Sequence, residues 1–167
     1  LALLLSSLGN APAPQAIIFK SGIIGTNETW TSNNVYVING NLIVSAGVTI
    51  TIQGDTVVKF DLGRYMDVFG TLVLTGTVPG DDVKFTSLRD DSYGGDTNGD
   101  GNATLPAPGD WDAIYIENSA TTFQYGEVRY ANLGVRGRRT RQVREQQLEP
   151  ALAMDPDLVT LFSGTND

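Results

Sequence analysis

The chain has 167 residues and a formal charge of −8, from 11 Lys and Arg against 19 Asp and Glu, with 19 Gly and neither His nor Cys. That length builds one domain with a substantial core, and the missing His and Cys exclude imidazole bases, Ser-His-Asp triads, thiolate nucleophiles, disulfides and His- or Cys-ligated metals. What remains is carboxylate, hydroxyl and carbonyl chemistry and the hard cations those oxygens hold, on a body too acidic to favour nucleic acid as a partner.

The chain opens on Leu1-Ala-Leu-Leu-Leu-Ser-Ser-Leu8, far shorter than the roughly 20 apolar residues that span a bilayer, so no transmembrane span is expected. With Ala11-Pro12-Ala13 in small-x-small form, the segment reads as the end of an export signal or as a retained apolar arm. Residues 1–27 are assigned to this arm. Leu3, Leu5, Ile17, Ile18 and Phe19 are its candidate self-assembly residues, because a strand-forming arm can add to a neighbour's sheet edge and propagate head to tail.

From residue 28 to 137 short β-branched runs alternate with Gly, Asn and Asp: Val35-Tyr-Val37, Leu42-Ile-Val44, Val48-Thr-Ile-Thr-Ile52 and Leu72-Val-Leu74. Val44, Ala46, Val48, Ile50 and Ile52 share one face, and an offset of 22 carries them onto Met66, Val68, Gly70, Leu72 and Leu74. A second series, Val58-Lys-Phe60, Val83-Lys-Phe85 and Val128-Arg-Tyr130, is spaced 25 and then 45. The larger gap contains the polar stretch 89–110, read as an insertion of 22 residues whose removal leaves 23. Such offsets predict a solenoid whose successive coils stack with like residues in register. An antiparallel sandwich also has short strands and frequent turns, but it does not require matching residues at fixed offsets. The expected fold is all-β: a short right-handed parallel β-helix of about four coils over 28–137.

On these residues the chain resembles bacterial right-handed parallel β-helix repeat proteins. The resemblance rests on Gly47 to Phe60, Gly70 to Thr77 and Val83 to Ser87, and on the loop Asp90 to Thr104 closing at Gly109-Asp-Trp111. It implies a secreted or surface-attached, adhesin-like module, and it says more about fold than about activity. After Gly137 the pattern stops. Arg136, Arg138, Arg139, Arg141 and Arg144 stand among helix formers, and 138–167 is expected to be a terminal cap or tail, with helical character.

The sharpest chemical signal is Asp96-Thr-Asn98-Gly-Asp100-Gly-Asn102. Oxygen-bearing residues at alternate positions followed by Gly match the first half of a calcium loop. Ala107 stands where that loop carries its closing Glu, so another acid must complete the shell. The expected ligands are Asp96, Asn98, Asp100 and Asn102 with Asp90 and Asp91, Asp110 and Asp112 being further candidates; the ion is Ca²⁺ in a structural role. The alternative is a solvated Asn/Asp/Gly turn without metal.

Weaker signals point to polysaccharide. Lys59, Lys84 and Arg129 fall at equivalent places in the second series, as a basic stripe of a Ca²⁺-dependent lyase would, although outward-facing solubilising residues account for them more simply. Trp30, Trp111, Tyr115, Phe123, Tyr125 and Tyr130 suit either sugar stacking or the core. Thr49-Ile-Thr51 resembles the threonine arrays of ice-binding helices, but the offset of 22 places Val73 after Thr51 and breaks the array. Asn27 and Asn102 head glycosylation sequons, which matter only in a glycosylating host. The expectation is a Ca²⁺-stabilised structural module, extracellular or on the cell surface, without catalysis and self-assembling into a filament. The alternative is a carbohydrate-binding or lyase-like β-helix protein.

Overall fold

The structure, a computed structural model, describes residues 15–76, 80–118, 121 and 126–129. It is all-β, with no helix among the described residues. The strands are β1 (Ala16–Ile24), β2 (Glu28–Trp30), β3 (Asn34–Val44), β4 (Thr49–Gln53), β5 (Val57–Phe60), β6 (Met66–Val68), β7 (Thr71–Thr75), β8 (Val83–Ser87), β9 (Ile114–Ile116) and β10 (Gly126–Val128). Every pairing between them is parallel.

The pairings fall into three ladders. In the first, the leading halves of β1 and β3 are followed by β5, β8 and β10. In the second, the trailing halves of β1 and β3 are followed by β6 and β9. The third is β2-β4-β7. β3 changes partner along its length: Val35 to Ile38 lie beside β5, and Leu42 to Val44 beside β6. The register shift in β1 between Lys20 and Gly22 keeps it aligned with both halves of β3.

Alternate side chains of each ladder enter one apolar interior. Tyr36, Val58 and Phe85 follow one another in the first ladder; Val44 and Val68 do so in the second, and Ile52 and Leu74 in the third. All belong to one buried cluster. Such rows arise because parallel neighbours lie about 4.8 Å apart with like faces aligned. Phe60 stacks on Trp111 at 4.1 Å between centroids, and Trp30 on Tyr36 at 4.7 Å. Gly70 is required at the turn into β7: a Cβ there would stand 2.2 Å from the Val48 carbonyl oxygen.

The observed register corrects the predicted offsets. The offset of 22 holds in the third ladder, where Ile50 meets Leu72. In the second ladder Val44 meets Val68, not Met66, because the corner from Asp61 to Tyr65 is longer than the one from Asn39 to Asn41. In the first, Val58 meets Phe85 and Phe85 meets Val128, so the Val-basic-aromatic triplets are displaced from one another by two residues. A shift of two preserves which side chains face inward, which is why the pattern survived a wrong register.

The segment assigned to an N-terminal arm also differs. Ile17, Ile18 and Phe19 lie on β1, which pairs with β3 of the same chain from Ala16 onward. The inner face of this end is closed by Lys20, whose Nζ donates to Glu28 at 2.6 Å, while Glu28 also accepts from the Trp30 indole at 2.7 Å. Burial alone would raise the Glu28 carboxyl, but donation from Lys20 and Trp30 and the Lys20 charge bring it below its ordinary value. Leu3, Leu5, the small-x-small site and the cap expected over 138–167 lie outside the described residues.

Candidate metal centre

The insertion predicted at 89–110 joins β8 to β9, and the first ladder explains its course. The outward positions Val35, Val37 and Val57 are apolar and buried, forming a small second core with Leu88, just after β8, and Tyr93 of the insertion. Gly94 lies directly on Val35: its φ is +66°, and an added Cβ would meet Val35 Cγ2 at 2.7 Å. The insertion is therefore laid against the outside of the sheet.

Its roots are fixed by hydrogen bonds. Thr86 Oγ1 donates to Asp90 at 2.6 Å, Ser87 Oγ donates to Asp110 at 2.6 Å, and the Arg89 guanidinium also reaches Asp110, at 3.3 Å. The returning strand of the loop is held where Gly63 N donates to the Asp110 carbonyl at 2.7 Å and Asp112 N to the Arg64 carbonyl at 2.9 Å. Trp111 then enters the interior, its indole donating to the Arg129 carbonyl at 3.2 Å.

Lys59 occupies the centre of this face with no solvent exposure. Its ammonium donates to the Gly95 carbonyl at 2.6 Å and to Thr97 Oγ1 at 2.9 Å. Burial pushes its pKa below the ordinary lysine value, against the opposing charges of Asp91, Asp90 and Asp96. Lys59 is thus not a solvated outward residue. Nor does it align with Lys84: Lys59 lies beside Thr86, and Lys84 beside Val57. Lys84 and Arg129 instead approach the ring of Tyr93, at 5.8 and 4.8 Å from its centroid.

Of the predicted ligands, the fold brings together Asp91, Asp96 and Asp100, which place carboxylate oxygens within 4.8 Å of one another. Asp96 is oriented by the amides of Gly99, Asp100 and Gly101, at 2.7, 3.1 and 2.9 Å. Asp100 accepts from the Thr104 hydroxyl, from the amides of Ala103 and Thr104, and from Asn98. These bonds, led by that of Thr104, lower its pKa from the ordinary value. Asn98 donates through Nδ2 to Asp100 and Thr104, at 2.9 and 3.3 Å, and Asn102 is exposed at φ +71°.

Asp90 is turned to the sheet, where Thr86 and Ser92 occupy it. Its burial favours a raised pKa, but those donors and the Lys59 charge hold it below the ordinary aspartate value. Asp91 differs from all of these. Both its oxygens are shut off from solvent and accept no hydrogen bond, which is costly for an ionised carboxylate without a close partner.

The remaining candidates are dispersed. Trp30 and Trp111 are each 1% exposed, packed in the interior and unable to stack a sugar. Asn27 is exposed, and its side-chain oxygen accepts from Thr49 N at 2.8 Å. Phe123, Tyr125 and Tyr130 lie outside the described residues. The role of Lys59 was missed from sequence, although a signal existed: Val35-Tyr-Val-Ile38 is apolar on both faces, so the strand needed a cover outside as well as a core inside. No protein-family model, curated protein or solved structure matches this chain.

Proposed function

We propose that the chain is a structural module: a right-handed parallel β-helix of about four coils whose long insertion is organised by Ca²⁺. The observation that carries this reading is the set of three continuous parallel ladders around one interior that the side chains fill. An object of this kind presents long faces rather than a deep reaction cleft, and its work is to span, display and assemble. The calcium part rests on the carboxylates of Asp96 and Asp100, which converge within the insertion loop, oxygen donors suited to a hard cation.

The same reading places the module outside the cell or on its surface, where free Ca²⁺ is plentiful enough for a modest site to fill. It also has the module assembling end to end into a filament. Ile17, Phe19 and Ile23 of β1 are 41, 60 and 71% exposed on the first strand of the stack, and β1 has a strand partner on one side alone among the described residues. A second copy adding at that edge would continue the ladders.

Thermal melts in Ca²⁺ and in chelator test the reading. A native-state ligand adds RT ln(1 + [L]/Kd), about 2.7 kcal/mol at one hundred times Kd, so the Ca²⁺ melt lies several degrees higher. Light scattering on the same samples is expected to report polymer for the parent and monomer for Phe19→Lys. Identical melts with and without the ion contradict the calcium assignment, and a monomer at all concentrations contradicts assembly.

A further inference from the structure

Resting on the calcium reading just given, we infer that Asp91 is the carboxylate that completes the cation shell begun by Asp96 and Asp100, taking the place of the Glu that a calcium loop carries at its end.

Two independent observations converge on it. The first is placement: Asp91 precedes the 96–102 loop by a turn of chain, yet its carboxylate lies within 4.8 Å of those of Asp96 and Asp100. The second is want of a partner. Neither Asp91 oxygen has solvent access or a hydrogen bond, and a buried carboxylate left in that state is stable only if something else meets its charge.

The other acids are committed elsewhere. Asp90 is occupied by Thr86 and Ser92, Asp110 by Ser87, Arg89 and the Ala107 amide, and Asp112 by the Tyr115 hydroxyl. Lys59 provides part of the balancing charge, but its ammonium is directed to Gly95 and Thr97. It thereby holds the Gly95 carbonyl and Thr97 beside the cluster while its hydrogen bonds go to those two groups and not to the carboxylates. A divalent cation there converts three mutually repelling groups into a shared shell.

Calorimetric titration of the full chain with CaCl2, paired with melts in chelator, tests this. Asp91→Asn keeps the side chain's size and removes its charge. It is expected to weaken Ca²⁺ binding about tenfold or more, while its melt in chelator lies at or above that of the parent because the unpaired charge is gone. Asp112→Asn, an exposed alternative, is expected to bind as the parent does. If the parent binds Ca²⁺ and Asp91→Asn binds within about twofold of it, the assignment of Asp91 is wrong and the calcium reading stands. If Asp91→Asn is clearly less stable than the parent in chelator, Asp91 is serving the fold and the inference is overturned. A parent that takes up no Ca²⁺ overturns both.

Discussion

The molecule has two apolar cores of different origin. The inner one is made by the ladders themselves, with rows such as Tyr36-Val58-Phe85 supplied by successive strands. The outer one exists because a single insertion folds back onto Val35, Val37 and Val57, contributing Tyr93 beside Leu88 at its root. The inner core is periodic and redundant. The outer core is local, and the same insertion covers the buried Lys59 and carries the cluster of carboxylates. A stack of parallel strands can thus lend one of its faces to a non-repeating loop when the outward residues of a few rungs turn apolar.

The difference predicts a hierarchy of damage. Phe60→Ala removes a ring stacked at 4.1 Å on Trp111 inside the inner core and is expected to cost about 3–5 kcal/mol, a melting-point loss of roughly 10–15 °C. Val37→Ala, on the neighbouring strand but facing outward under the insertion, is expected to cost about 1–2 kcal/mol. Calorimetric or circular-dichroism melts of the two variants check this order. Equal losses would mean that the two cores are one cooperative unit.

Acid is a gentler probe. Asp90 and Asp100 both have folded-state pKa values below their ordinary ones. The stability they contribute is complete above the ordinary aspartate value and drains away as pH falls through the lowered values. A pH series of melts is expected to fall on the acid side of about pH 4, with the loss beginning in the insertion. A flat profile from neutral pH to about pH 3 would remove the carboxylates from the account.

What could be read from sequence follows the same division. Inward rows were legible because alternation repeats: Ile50, Ile52, Leu72 and Leu74 were paired correctly from an offset of 22. Register was lost where corner lengths vary, as between Val58 and Phe85, because an error of two residues leaves the inward pattern intact. The acidic loop was legible as a loop, and Asp96 and Asp100 as its ordered acids, since their spacing is local. Asp91 was one name among several, and Lys59 was read as a surface charge. Their roles arise from placing residue 59 beneath residues 95 and 97, a contact across 36 and 38 positions of chain that no local pattern records.

The most direct test of the whole account is amide hydrogen exchange on the full chain, with Ca²⁺ and with chelator. The account predicts that removing the ion speeds exchange across residues 88–104 while the amides of Ile50, Leu72 and Phe85, inside the ladders, stay protected. Unchanged exchange in the insertion, or the same acceleration in insertion and ladders, would contradict a calcium-organised loop laid upon an independently stable stack.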